Sequence, residues 1–293
     1  MSGPRLVRPL ICCLLAGLLF APLPSQGRPL IPGAEGLTFL GTPAEDAVYS
    51  MAVDPSGNIY AFGETLVNWR TKQGDLFLAK LTPDGREEWS WIFGGVENES
   101  LTDLELAGGY LYVVGETYKK VYLYGQSYDC PDLIVGKFDL SGNLVWMYYL
   151  DTGYCEYSRD LVVVGRDLYI VGSTWYGSWE EFITKVADAG GRMEFRWFKV
   201  WNSDAWDDEL TAVTSDGQYI YAVGHLFKGE GDLYDLHLVK FDSQGNVIWS
   251  KVWNSGRTDI GMRATYSGEA IYICGSVEVA GSGYDSLLMR VNP

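Results

Sequence analysis

Thirty-eight carboxylates and only two histidines set the chemistry open to this 293-residue chain. Carboxylates alone suffice for cleaving a glycosidic bond. One protonates the leaving oxygen, while the other activates water or attacks the sugar carbon. Asp103, Asp160, Asp207 and Glu209 are the acids to test first for such a pair. His225 and His237 are too few for a His-rich metal site. No nucleophile-elbow, phosphate-loop, His-x-x-x-His or Cys-x-x-Cys pattern occurs, so a conventional nucleophile triad is not expected. His237 lies on an alternating strand pattern, where a packing or surface role is expected. No residue is assigned as catalytic, and no cofactor is implied.

A second set of acids recurs at a fixed place. Asp46, Glu99, Glu156, Asp208 and Asp259 each stand 13 residues before an anchor tyrosine, or 14 in the first case. Five carboxylates facing one channel could hold a cation through oxygen ligands. They could also cap turns by accepting backbone N–H bonds. Repetition in every unit favours the capping role, because a site breaks symmetry where a fold element keeps it. No metal ligand set is assigned, and a cation in a central channel stays open. Aromatic side chains gather elsewhere, between strand patterns. Tyr122, Tyr124 and Tyr128 lie within Tyr118–Cys130, Trp175, Tyr176 and Trp179 lie together, and Trp206 precedes Asp207. Such faces beside carboxylates suit sugar rings or a protein partner, or they pack longer loops against the strands beneath. Cys130 and Cys155 are candidates for a disulfide, and Cys274 for a buried free thiol.

The elements that must position these residues repeat. Tyr-x-x-Gly occurs at Tyr60–Gly63, Tyr112–Gly115, Tyr169–Gly172, Tyr221–Gly224 and Tyr272–Gly275, with glycine spacings of 52, 57, 52 and 51. After each comes an apolar run ending in a base: Lys80, Lys137, Lys185, Lys240 or Arg290. Trp89, Trp146, Trp197 and Trp249 follow Gly-containing turns in the first four units. A period near 50 with short alternating runs marks a propeller or solenoid array. Apolar residues on both strand faces, as in Leu161-Val-Val-Val164, require cover on both sides, and closure into a ring supplies it without polar caps. The fifth unit lacks a Trp strand, and Leu37-Thr-Phe-Leu-Gly41 is an unpaired strand before the first unit. The expected fold is therefore all-β, a five-bladed propeller of four-stranded antiparallel blades over 37–293, with its ring closed by the N-terminal strand.

Gly57-Asn-Ile-Tyr-Ala-Phe-Gly63, Asp75-Leu-Phe-Leu-Ala-Lys80 and Gly142-Asn-Leu-Val-Trp146 resemble the repeats of the secreted bacterial and archaeal β-propeller family. That family is usually described as seven-bladed, whereas five units are counted here. The resemblance implies an extracytoplasmic binding scaffold and brings no catalytic signature.

Residues 1–27 read as an export signal, with Arg5 and Arg8 before the apolar run Leu10–Leu23, and 28–36 as a linker. A secreted or cell-surface protein follows, with no stable membrane insertion of the mature chain. The formal net charge of −16 and the absence of basic clusters argue against nucleic acid and anionic membranes as partners. A monomer with a protein or carbohydrate partner is expected. The leading functional expectation is a non-enzymatic scaffold binding a ligand or protein on its loop face. The alternatives are a lectin-like propeller and, third, an acid-pair glycoside hydrolase.

Overall fold

The computed structural model describes residues 8–9 and 46–293, apart from 69–72, 94–97, 124–125, 176, 202–206, 228, 230–233 and 282. The chain is all-β, with one antiparallel sheet per repeat, and these five sheets are the blades of a five-bladed propeller fold. Two compact units divide them, Met1–Asp151 with two blades and Thr152–Pro293 with three. The expected export signal at 1–27, the linker and the closing strand Leu37–Gly41 lie outside the described residues, except for a two-residue strand, β1 (Arg8–Pro9).

In the first unit, blade one consists of β2 (Asp46–Val53), β3 (Ile59–Asn68), β4 (Gln73–Leu81) and β5 (Glu87–Phe93). Blade two is β6 (Asn98–Ala107), β7 (Tyr110–Leu123), β8 (Gln126–Asp139) and β9 (Leu144–Leu150), with β1 on its edge. In the second unit, blade three is β10 (Glu156–Val164), β11 (Asp167–Trp175), β12 (Trp179–Asp188) and β13 (Met193–Trp201). Blade four is β14 (Glu209–Ser215), β15 (Ile220–Leu226), β16 (Asp235–Phe241) and β17 (Val247–Trp253), and blade five is β18 (Asp259–Ser267), β19 (Ala270–Val279) and β20 (Gly283–Val291). Strands follow one another in sequence order across each sheet, the meander that short turns between alternating runs dictate.

The three sequence anchors are one structural feature. Tyr60 pairs with Lys80 and Lys80 with Trp89, and the same row recurs as Tyr112–Lys137–Trp146, Tyr169–Lys185–Trp197 and Tyr221–Lys240–Trp249. Within each row the Tyr and Trp ring centres are 6.2 to 6.3 Å apart, and the lysine nitrogen lies 5.1 to 6.0 Å from the Tyr ring. Residues directly opposite on neighbouring strands share a face, so three separated anchors become one transverse contact of cation on aromatic, about 0.5–1 kcal/mol each. The next blade's turn closes over this row. Gly245 adopts φ +72, and a Cβ there would sit 2.5 Å from the Trp197 ring, so glycine is required both for the turn and for the approach.

Blades pack face to face within each unit. Tyr60, Phe62 and Leu78 of blade one meet Leu104, Leu111 and Val113 of blade two. In the second unit Val171 and Ile183 meet Ala222, Val239 and Phe241, and Val223 and Leu238 on blade four's other face meet Ile271 and Ile273. Full burial of a side chain of this size stabilises by about 1.5–3 kcal/mol relative to exposure.

Two expectations are corrected. Tyr118–Cys130 is mostly a ladder rather than a loop, with register running from Tyr118↔Pro131 to Leu123↔Gln126. Its β-favouring Tyr, Val and Leu continue the pairing, and Lys120 bonds Asp129 directly across it at 2.5 Å. Cys274 is free but exposed rather than buried. It alternates with Ile271 and Ile273, which take the face packed on blade four, and so falls on the face that carries Met262 and Leu288. Cys130 and Cys155 are each disulfide-bonded.

Turns carry the remaining repeat signal. Asp54, Asp139 and Asp242 each accept N–H bonds from residues two and four positions on, plus the side-chain amide of Asn58, Asn143 or Asn246. At Asp216, burial pulls the carboxyl up, but the Tyr219 N–H, the Tyr221 hydroxyl and the Gln218 N–H outweigh it and hold it below the ordinary value. A carboxyl with a depressed folded value contributes stability above the ordinary value of about 3.9 and loses it as pH falls through the folded one. Between pH 5 and pH 2 the thermal midpoint of the wild type should therefore fall more steeply than that of Asp216→Asn. Parallel curves for the two proteins would refute this.

Candidate functional site

The five innermost strands share one irregularity. A bulge interrupts the register at Val48/Ser50, Leu101/Asp103, Ser158/Asp160, Leu210/Ala212 and Gly261/Arg263. The extra residue is Tyr49, Thr102, Arg159, Thr211 or Met262 in turn. A bulge re-aims the side chain it carries. Only in blade three is that side chain a cation.

Arg159 reaches the next blade, where its Nε donates to Glu209 Oε1 at 2.5 Å. The Ser173 hydroxyl donates to the same oxygen at 3.1 Å. Glu209 is only partly buried, so its carboxylate stays in contact with solvent while one oxygen is pinned. Its other oxygen, Oε2, takes no hydrogen bond among the described residues. These groups line a pocket of about 250 Å³ with Tyr157, Trp179, Asp207, Asp208 and His225.

Each wall has a local cause. Glu209 opens β14 and pairs with His225 of β15, which places the imidazole beside the carboxylate. Tyr234 covers that ring edge-on at 4.8 Å. Burial pushes the His225 imidazole below its ordinary value, against the weaker opposing pull of Glu209, and so keeps it neutral near pH 7. Asp207 is bridged to Trp179, and the Asp208 N–H donates to the Trp179 carbonyl at 2.9 Å. The indole of Trp179 meets Tyr157 edge-on at 5.2 Å and Trp175 at 5.2 Å. Asp207 is exposed while Asp208 is fully buried, as alternation along an extended chain requires. Residues two apart on such a chain project to the same side, so Asp207 and Glu209 both reach the pocket.

The sequence-chosen acids separate into two kinds. Glu99, Glu156, Asp208 and Asp259 are buried at the starts of innermost strands, with Asp46 half-buried at the first. Asp208 Oδ1 accepts the Phe227 N–H at 3.0 Å, Asp259 Oδ2 accepts the Ser255 N–H at 2.6 Å, and Thr152 donates to Glu156. Among the described residues, no group of three or more His, Cys, Asp or Glu side chains could hold a metal ion. Asp103 accepts from Ser50, and Asp160 accepts the Val213 N–H, so both serve packing between blades within a unit.

Of the aromatics, Trp179 lines the pocket and Trp175 stands beside it, exposed. Tyr128 is exposed on its hairpin, where its hydroxyl donates to Gln126 at 2.6 Å. Tyr122 is in β7, and Tyr124, Tyr176 and Trp206 lie outside the described residues. Arg159, Ser173, Tyr157 and the site role of His225 were missed from the sequence. The one available signal was Arg159, the only base at the bulge position.

No protein-family model matches the sequence, and no curated protein matches it. Among solved structures the chain is similar to a GH43 endo-arabinanase from Bacillus licheniformis, at 12% identity and TM-score 0.42 over 86% of this chain and 96% of that one. It is similar to an exo-1,5-α-L-arabinanase from a bovine ruminal metagenomic library, at 12% identity and TM-score 0.40 over 84% and 93%. A third is the subtype N10 neuraminidase-like protein of A/little yellow-shouldered bat/Guatemala/060/2010, at 10% identity and TM-score 0.46 over 80% and 75%. The expectation of a non-enzymatic binding scaffold, with its lectin-like alternative, is corrected by these neighbours, two of which are arabinan-cleaving enzymes. At such identities the likeness is one of fold, and any activity has to come from the side chains of the pocket.

Proposed function

We propose that the pocket between blades three and four hydrolyses glycosidic bonds, with Asp207 and Glu209 as the acid pair. The observation that carries this reading is the grouping in one pocket of two solvent-reaching carboxylates, a guanidinium and two aromatic side chains. Arg159 and Ser173 hold Glu209 by one oxygen, which suits it to act as the ionised partner, attacking the sugar carbon or activating a water. Asp207, exposed at the pocket mouth, is placed to protonate the departing oxygen. Tyr157 and Trp179 offer apolar faces to a sugar ring. Neutral His225 can donate to or accept from a sugar hydroxyl. An export signal at 1–27 would deliver such an enzyme to extracellular polysaccharide.

Incubating the purified protein with arabinan, other plant polysaccharides and sialyl glycans, and measuring released reducing ends and free sialic acid, tests the reading. Release from at least one substrate is expected, and Asp207→Asn should lower it about 10²-fold or more. Release that Asp207→Asn and Glu209→Gln both leave intact would place the chemistry elsewhere.

A further inference from the structure

A second constellation spans blades three and four and shares no residue with the pocket, although its Glu181 pairs across the ladder with the pocket's Ser173. His237 on β16 sits with Nδ1 2.8 and 3.0 Å from the two carboxylate oxygens of Glu181 on β12. Its Nε2 is 2.7 Å from Ser250 Oγ on β17. Glu181 and His237 are 1% and 3% exposed, whereas Ser250 faces solvent. From the sequence, His237 is expected to take a packing or surface role and no conventional nucleophile triad is expected; the structure buries the imidazole between a carboxylate and a hydroxyl. Glu181 lies 56 residues from His237 and in another blade, so no local pattern could join them.

The order of the three groups has a chemical consequence. When Glu181 is ionised it accepts from Nδ1–H, which leaves the Nε2 lone pair to accept the Ser250 proton. That is the tautomer in which an imidazole serves as general base to a hydroxyl. Burial holds the Glu181 carboxyl above its ordinary value, although the histidine beside it pulls the other way. A buried glutamate, a buried histidine and an exposed hydroxyl in hydrogen-bonded sequence are more than packing requires, since apolar residues of similar volume would fill the same space without desolvating a charge.

We propose that Ser250, His237 and Glu181 form a nucleophilic triad that hydrolyses small apolar acyl esters. Ser250 Oγ attacks the acyl carbon as its proton passes to His237 Nε2. The tetrahedral adduct expels the alcohol, which takes that proton. Water then attacks the acyl-serine, giving its proton to Nε2, and the carboxylic acid leaves as Ser250 recovers the proton. Glu181 touches no substrate and is a positioning residue that holds the tautomer and balances the transient imidazolium. Substrate class follows from the surroundings. Val252 and, at the bulge, Ile248 stand two residues to either side of Ser250 on β17, and both are exposed, which favours a short hydrocarbon acyl chain. β17 is the edge strand of its sheet, so alternate backbone N–H groups beside Ser250 point away from β16 and are available to a developing oxyanion.

The test is covalent labelling of the wild-type full chain with diisopropyl fluorophosphate, read by intact mass and peptide mapping, alongside 4-nitrophenyl acetate hydrolysis. A single adduct on Ser250 is expected, with hydrolysis falling about 10²-fold or more in Ser250→Ala. Glu181→Gln should lower kcat while leaving KM in place, the split expected of a group that acts only through the histidine. Folded wild type that carries no adduct on Ser250, or ester hydrolysis unchanged in Ser250→Ala, would show that the serine merely satisfies a buried imidazole. The wild-type labelling holds even if a variant fails to fold. Loss of glycan hydrolysis in Asp207→Asn leaves this outcome untouched, so the two sites stand or fall separately.

Discussion

Replacing Gly224 by alanine should cost at least about 3 kcal/mol and leave much of the second unit's inner sheet unformed at 37 °C. A Cβ at this position would sit 1.9 Å from the Glu209 carbonyl oxygen and 2.8 Å from the Leu210 Cα. Both neighbours are backbone, so no rotamer change relieves the overlap. The inner-strand bulge drives that carbonyl against the glycine, and the same approach recurs at Gly63, Gly115, Gly172 and Gly275, at 1.9 to 2.1 Å from the carbonyl of Ala47, Ser100, Tyr157 or Ile260. The fourth residue of each Tyr-x-x-Gly anchor is therefore dictated by the bulge opposite it. Urea unfolding of Gly224→Ala and of the exposed control Gly217→Ala measures the effect. In the control nothing lies within 4 Å of the added Cβ, so only its positive φ of 88° is penalised. If Gly224→Ala unfolds at the same urea concentration as the control, the close approach does not govern this position.

Glu209→Gln should lower the rate of glycan hydrolysis by roughly 10²–10⁴-fold with little loss of stability. The substitution keeps the shape of the side chain and its bond from Ser173, but it removes the charge that would attack or activate water. Arg159→Met should follow in the same direction, because Glu209 then loses the donor that holds its pinned oxygen at 2.5 Å. Stability should barely change in either variant. The guanidinium side chain is 42% exposed, and solvent screening limits such a pair to at most about 1 kcal/mol. Paired measurements of thermal midpoint and turnover separate the roles. A midpoint drop of many degrees with the surviving folded fraction fully active would make the ion pair structural rather than functional.

Blade number, the repeat boundaries and the identity of the anchors were legible in the sequence because β structure has a residue period of two and because each unit repeats the same turn chemistry. Tyr, Lys and Trp could be counted without knowing that strand register sets them in one row. That the fifth unit carries no Trp strand of its own was legible for the same reason, and among the described residues blade five has three strands. The aromatic segment at Tyr118–Cys130 was misread because β-propensity continues through it, and where a hairpin turns depends on cross-strand partners such as Lys120 and Asp129.

The sequence by itself determined a β-propeller of five repeats with acidic chemistry and few histidines. Only the tertiary structure decided which carboxylates could act. Asp207, Asp208 and Glu209 are adjacent in the chain and equivalent by composition, and all three line the pocket, yet alternation buries Asp208 under a backbone N–H while Asp207 and Glu209 keep contact with solvent. The partners that matter come from other blades: Arg159 is 50 residues from Glu209, and Glu181 is 56 from His237. Blade-on-blade packing brings them together, and no local pattern of residues records a contact between sheets.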